Sequence, residues 1–114
     1  MQLECIVKDE NLLVTFNGEL DHHTAKEVRE SIDEVYDSKN VKNIIIDLHD
    51  LNFMDSSGIG LLMGRYKLVS QNGGKVYIKN VSDRVEKILK MSGKSLIYQK
   101  TIPSSINISR RFVP

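Results

Sequence analysis

Hydrophobic and polar residues alternate from Gln2 to Lys8, which places Leu3, Cys5 and Val7 on one side of an extended segment. A second β-type run, Leu12 to Phe16, follows the polar turn Asp9-Glu10-Asn11, so the two are predicted to pair as an antiparallel hairpin. The period then changes. Val28, Ile32, Val35 and Tyr36 recur at helical spacing with Lys26, Arg29, Glu30 and Asp33 between them, the pattern of an amphipathic helix with one solvated face. Thr24-Ala25-Lys26-Glu27 fits a capping box, in which Thr24 accepts from a free helix amide and Glu27 reaches back, so this helix is expected to begin near Thr24.

Asn43 to Leu48 is an apolar run without alternation, the mark of a central strand covered on both faces. A polar turn at His49-Asp50 and a short apolar piece, Leu51 to Met54, are expected to lead into a second helix at Asp55. On that helix Ile59, Leu62, Met63, Tyr66 and Val69 share one face, predicted to be core, while Gly60, Leu61, Gly64, Leu68 and Gln71 lie opposite. Two glycines on that outer face cost helix stability and ask for a reason: cover by the third helix or the tail, or a partner interface. Asn72-Gly73-Gly74 stops the helix, and Lys75 to Lys79 reads as another strand. Ser82 then caps a third helix bearing Val85, Ile88, Leu89 and Met91, closed by Gly93. Leu96 to Tyr98 reads as a short edge strand, and from Thr101 to Pro114 a terminal helix and a loose coil fit the pattern equally well.

The order β, β, α, β, α, β, α predicts a single α/β domain over residues 1–114. It is one small mixed sheet of four to five strands, a hairpin plus parallel strands, with three to four helices. Two strand-helix-strand crossovers make the strand ending at Glu19-Leu20 and the strand system ending at Met54 run the same way. The loops that leave them, Asp21 to Thr24 and Asp55 to Gly58, are therefore expected on one sheet edge.

Composition narrows the function. With 16 basic and 15 acidic residues the formal net charge is +1, so no broad basic field draws nucleic acid or an anionic membrane. The single cysteine, Cys5, excludes a disulfide within the chain and reads as a buried thiol. The start, MQLECIVKDE, lacks the apolar core of a signal peptide and no window approaches a membrane span, so a soluble cytoplasmic protein is expected.

Three chemistries compete for the edge. A serine nucleophile would use Ser56 or Ser57 with His22, His23 or His49 as base, but Met54 and Asp55 stand where a G-x-S-x-G elbow needs its first glycine. A metal site finds only adjacent histidines and no ligand spacing, and Gly58-Ile59-Gly60-Leu61-Leu62-Met63-Gly64 lacks dinucleotide spacing and any Walker lysine, so neither a metal nor a cofactor is expected. The third reading needs no catalysis by this chain. Asp55 suits the cap of the second helix, leaving Ser56 and Ser57 in an exposed first turn where a phosphate is tolerated and changes what docks. Glu19, Asp21 and Asp55 already make that edge acidic, and a partner is expected to contact Glu19, Asp21, His22, His23 and Thr24 from one loop and Asp55, Ser57, Gly58 and Ile59 from the other.

GELDHHTA at 18–25 and FMDSSGIG at 53–60, continued by LLMGRYK, closely resemble the bacterial anti-sigma factor antagonists of the STAS fold, sporulation type. The resemblance runs over roughly residues 5 to 100, including the glycine pair before Lys75 and the MSG at 91–93, and departs at SRRFVP, where the family has an amphipathic last helix. It implies a STAS fold and a partner-switching role. The unphosphorylated chain binds an anti-sigma factor that is also an ATP-bearing serine kinase and so releases a sigma factor; phosphorylation of Ser56 ends that binding until a serine phosphatase removes the mark. Asp21 matches a family position in contact with the kinase. The competing class is a STAS-like module of a sensory complex or transporter in which Ser56 is never modified. A monomer is expected for the free chain, which carries no coiled-coil or β-edge signal.

Overall fold

The computed structural model describes residues 1–91. Its sheet has four strands in the order β1-β2-β3-β4, with β1 (Gln2–Lys8) antiparallel to β2 (Asn11–Leu20), and β3 (Asn43–Met54) and β4 (Val76–Lys79) parallel to β2 and to each other. Between them run α1 (Ala25–Ser38) and α2 (Ser56–Gln71), and α3 (Asp83–Met91) follows β4. The hairpin closes with Lys8 opposite Asn11.

The isoleucine run at 44–46 shows why β3 does not alternate. Ile45 stands in a cross-strand row with Ile6, Leu13 and Tyr77, each opposite the next, and these four form a separate buried cluster. Ile44 and Ile46 point the other way, with Leu12, Val14, Val76 and Ile78, into the main core. There Val28, Ile32 and Tyr36 of α1, Leu61, Leu62 and Val69 of α2, and Val85 and Leu89 of α3 complete the packing. A strand buried on both faces must be apolar on both.

Several expectations are corrected. No turn exists at His49-Asp50: β3 continues to Met54, because Gly18, Glu19 and Leu20 of a longer β2 pair with Leu51, Phe53 and Met54 and supply the backbone bonds that hold it extended. Two register shifts, between Thr15 and Asn17 and between Gly18 and Glu19, accommodate this polar half of the ladder. Leu61 is not on an outer face. It is 5% exposed and belongs to the core beside α1, while Met63 and Tyr66, expected inside, are only partly buried. The helix packs on the sheet and alongside α1, so two of its faces are covered, and Arg65 is buried with them. The strand at 96–98 and the tail at 101–114 lie outside the described residues.

Gly74 closes the α2–β4 turn, where its amide donates to the Val69 carbonyl at 2.9 Å. A methyl group there would overlap the Lys42 carbonyl and crowd Val69 Cγ1 at 2.8 Å. Gly74→Ala is expected to lower unfolding free energy by ~1–3 kcal/mol, the usual cost of overpacking, read as a shift in urea midpoint at unchanged slope. The half-buried Cys5 is the second test: burial, helped by the neighbouring Glu4 charge, pushes its thiol from 9.0 up to about 11. Below pH 9.0 both states keep the proton; above it the unfolded chain ionises first, so stability falls as pH rises towards about 11. Cys5→Ser is expected to flatten that alkaline decline in a pH series of thermal melts.

Candidate functional site

β2 and β3 end in register, Leu20 opposite Met54, so the loops after them leave side by side. The first loop folds around Asp21. Its carboxylate Oδ1 accepts from the amides of His23 at 2.9 Å and Thr24 at 3.2 Å, and its carbonyl accepts from Ala25 at 2.9 Å. The capping box expected at Thr24 and Glu27 is not made. Thr24 does sit at the N-cap of α1, but its hydroxyl donates to the Glu19 carbonyl at 3.0 Å and accepts from the Asp21 amide at 3.1 Å. The loop uses the hydroxyl that a cap would need.

The second loop is a single residue. Asp55 caps α2 as expected, with Oδ1 accepting from the Ser57 amide at 2.8 Å and its carbonyl accepting from Gly58 and Ile59 at 3.0 and 3.2 Å. Its other carboxylate oxygen crosses between the loops, accepting from the His22 amide at 3.2 Å with the His22 ring Nδ1 at 3.3 Å. The Asp55 amide in turn donates to the Leu20 carbonyl at 3.3 Å. One carboxylate thereby ties the start of α2 to the loop before α1.

Both acids are held below the usual carboxylate range. For Asp21 the His23 amide is the main cause, opposed by slight desolvation and aided by Thr24. For Asp55 desolvation pushes up, and the His22 ring together with the Ser57, His22 and Gly58 amides outweighs it. The edge therefore carries fixed negative charge at neutral pH. Glu19, His22, His23 and Ser56 are exposed, Asp21, Thr24, Asp55 and Ser57 are half-buried, and the two imidazoles lie against each other, tilted by 40° with centroids 4.0 Å apart. Ser56, in the first position of α2, projects a hydroxyl with no hydrogen-bond partner among the described residues.

The structure thus brings the residues expected to contact a partner together on one edge, except that Gly58 and Ile59 are buried and offer little surface in the free chain. Gly58 sits where a Cβ would overlap Met54 and approach the Leu20 carbonyl at 3.1 Å, so it permits α2 to start hard against the sheet. Phe53 was missed. It is 40% exposed near the end of β3 beside this edge, and an apolar residue near a strand end gives no sequence sign of facing water. The third histidine, His49, pairs with Asp50 at 2.9 Å on the strand and not with the serines. Among the described residues no cluster of three or more potential metal ligands exists.

This fold and loop pair define a recognised class: residues 2–106 match the STAS domain, and the chain belongs to the STAS-domain family. Among the proteins it is similar to are the anti-sigma F factor antagonist of Paenibacillus polymyxa, 45% identical over 82 residues, or 72% of this chain and 70% of that protein. The anti-sigma-B factor antagonist of Staphylococcus aureus is 31% identical over 93 residues, covering 82% of this chain and 85% of its own. The Bacillus cell fate determinant SpoIIAA in its phosphorylated form superposes with a TM-score of 0.69 at 32% identity, covering 91% of this chain and 93% of that one.

The bridging carboxylate is testable. Asp55→Ala is expected to lower the thermal midpoint, as loss of a helix cap does, and to speed amide hydrogen exchange at both Ser57 and His22. Because both acids titrate below their unfolded values, their contribution is complete above the ordinary carboxylate range and is lost as pH falls through the depressed values. The His22, His23 and Ser57 amide resonances should therefore move together on acidification below that range.

Proposed function

We propose that this chain is an anti-sigma factor antagonist of the sporulation type, switched by phosphate on Ser56, and that it catalyses nothing itself. The observation that carries the reading is the position of Ser56: exposed, at the first residue of α2, next to a capping aspartate bound to the neighbouring loop. The relatives' names support the antagonist role, and the phosphorylated form of SpoIIAA supports the switch.

In the unphosphorylated state an anti-sigma factor docks on the edge formed by Glu19, Asp21, His22, His23, Thr24, Asp55 and Ser57, and its sigma factor is released. That partner is also the kinase. The Ser56 hydroxyl oxygen attacks the γ-phosphorus of its ATP, the hydroxyl proton passes to a base on the kinase, and ADP leaves. The product adds roughly −1.5 to −2 charges to an edge already bearing Glu19, Asp21 and Asp55. A docked partner that tolerates three carboxylates meets a larger charge and a larger volume at its centre. A ~100-fold loss of affinity needs only ~2.8 kcal/mol, within the reach of one desolvated phosphate. A serine phosphatase restores the hydroxyl by hydrolysis. No helix among the described residues is long and apolar enough to cross a membrane, and a cytoplasmic monomer suits this cycle.

The test mixes the purified chain with the anti-sigma factor kinase from the same genome and ATP, and maps added phosphate by mass spectrometry. Modification is expected at Ser56; phosphate on Ser57 alone would refute the assignment. Ser56→Ala is expected to bind the kinase as the unmodified chain does and to stay bound when ATP is added, while Ser56→Asp binds more weakly. Equal affinities for the two variants would refute the charge mechanism. A STAS module of a sensory or transport system would show neither binding nor modification.

A further inference from the structure

A groove of about 470 Å³ runs between α1 and α2, opening at His22 and Ser57 onto the edge just described. Its floor is low because Gly60 and Gly64 lie one turn apart on α2, and a Cβ built on either meets nothing within 4 Å. Each glycine costs a helix interior up to ~1 kcal/mol relative to alanine, and nothing among the described residues uses the space they leave. Lys26 and Arg29 of α1 line the groove, both exposed and, among the described residues, without a carboxylate within ion-pair distance, although the Arg29 charge still acts on Asp33.

Arg65 supplies the independent observation. It lines the same groove at 8% exposure, and its Nη1 is buried with no hydrogen-bond partner among the described residues. Asp33 Oδ1 comes within 3.1 Å of Arg65 Nε, but the two are not aligned as a hydrogen bond. Burial lowers the guanidinium's proton affinity and raises that of the Asp33 carboxyl, each against the attraction of its partner, so the pair does not compensate its own desolvation. A buried guanidinium with a donor unpartnered among the described residues, flanked by the exposed cations Lys26 and Arg29, suits a further anion.

We propose that the α1–α2 groove receives an acidic segment of the partner protein, with its carboxylates paired to Lys26 and Arg29 at the rim and drawn towards the Arg65 guanidinium below, and its backbone lying close over Gly60 and Gly64. This rests on the docking reading above and extends it, since His22 and Ser57 belong to both the edge and the groove. A free phosphate is a poorer occupant. The Ser57, Gly58 and Ile59 amides that would cradle it are already taken by Asp55, whose own negative charge stands at that end. The rest of the floor, Ala25, Gly60, Leu61 and Gly64, offers apolar contact suited to a peptide.

The test measures calorimetric affinity for the purified anti-sigma factor from the same genome. Gly64→Leu fills the groove, and Lys26→Glu with Arg29→Glu reverses its rim; neither alters a core residue, and thermal melts should confirm an intact fold. Each is expected to weaken binding at least ~10-fold, about 1.4 kcal/mol, and the double variant to reduce the salt dependence of binding. Unchanged affinity for both, with Ser56→Asp still weakened, would overturn the groove proposal and leave the edge reading intact. Absence of any binding by the unsubstituted chain would overturn both. Saturation of the Arg65 side-chain resonance by inorganic phosphate below about 1 mM, with anti-sigma factor affinity untouched by the variants, would make this a small-anion site and also overturn the proposal.

Discussion

The functional edge depends on one carboxylate. Asp55 binds an α2 amide with one oxygen and the His22 amide with the other, so the same group that starts a helix also fixes the loop 33 residues earlier in the chain. Neither half suffices alone. A cap without the cross-loop bond would leave Asp21 to Thr24 positioned only by its own turn, and a cross-loop bond without the cap would let the first turn of α2 fray. Parallel pairing of β2 and β3 makes the arrangement possible by ending both strands at the same level, and buried Gly58 removes the side chain that would push α2 away.

Electrostatics divide the molecule into two unlike neighbours. The edge is acidic, with two carboxylates kept ionised by amide donors and, at Asp55, by the His22 ring, while the adjoining groove carries Lys26, Arg29 and the buried Arg65. The net charge of +1 conceals this. A surface that presents both signs side by side can fix the orientation of a partner as well as attract it, because a rotated partner would meet like charge.

Much of this was legible in the chain, and each miss has its own physical cause. Asp55 as a cap, the hairpin, the central strand at 43–48 and Ser82, which accepts from the Val85 amide at 3.1 Å, all follow from local patterns that the structure keeps. Thr24 misled because its hydroxyl has two legitimate uses and the loop takes it first. His49-Asp50 misled because a polar pair in a strand is held by a neighbouring strand distant in sequence, which no local propensity reports. Leu61 was misplaced, and the burial of Arg65 not foreseen, because a single-stripe reading of α2 assumes one buried face, whereas the helix rests on the sheet and against α1 together. The convergence of the two loops was legible from crossover handedness; the bond that unites them was not.

Ser56 contributes its backbone to α2 but its side chain to nothing among the described residues. A group bonded into the scaffold would have to be torn loose each time it was altered, and every cycle would carry the delay and hazard of partial unfolding. Here the hydroxyl is spare. On the proposed reading the molecule can be written and erased many times with its architecture undisturbed, so the tempo of the response belongs to the enzymes that visit it.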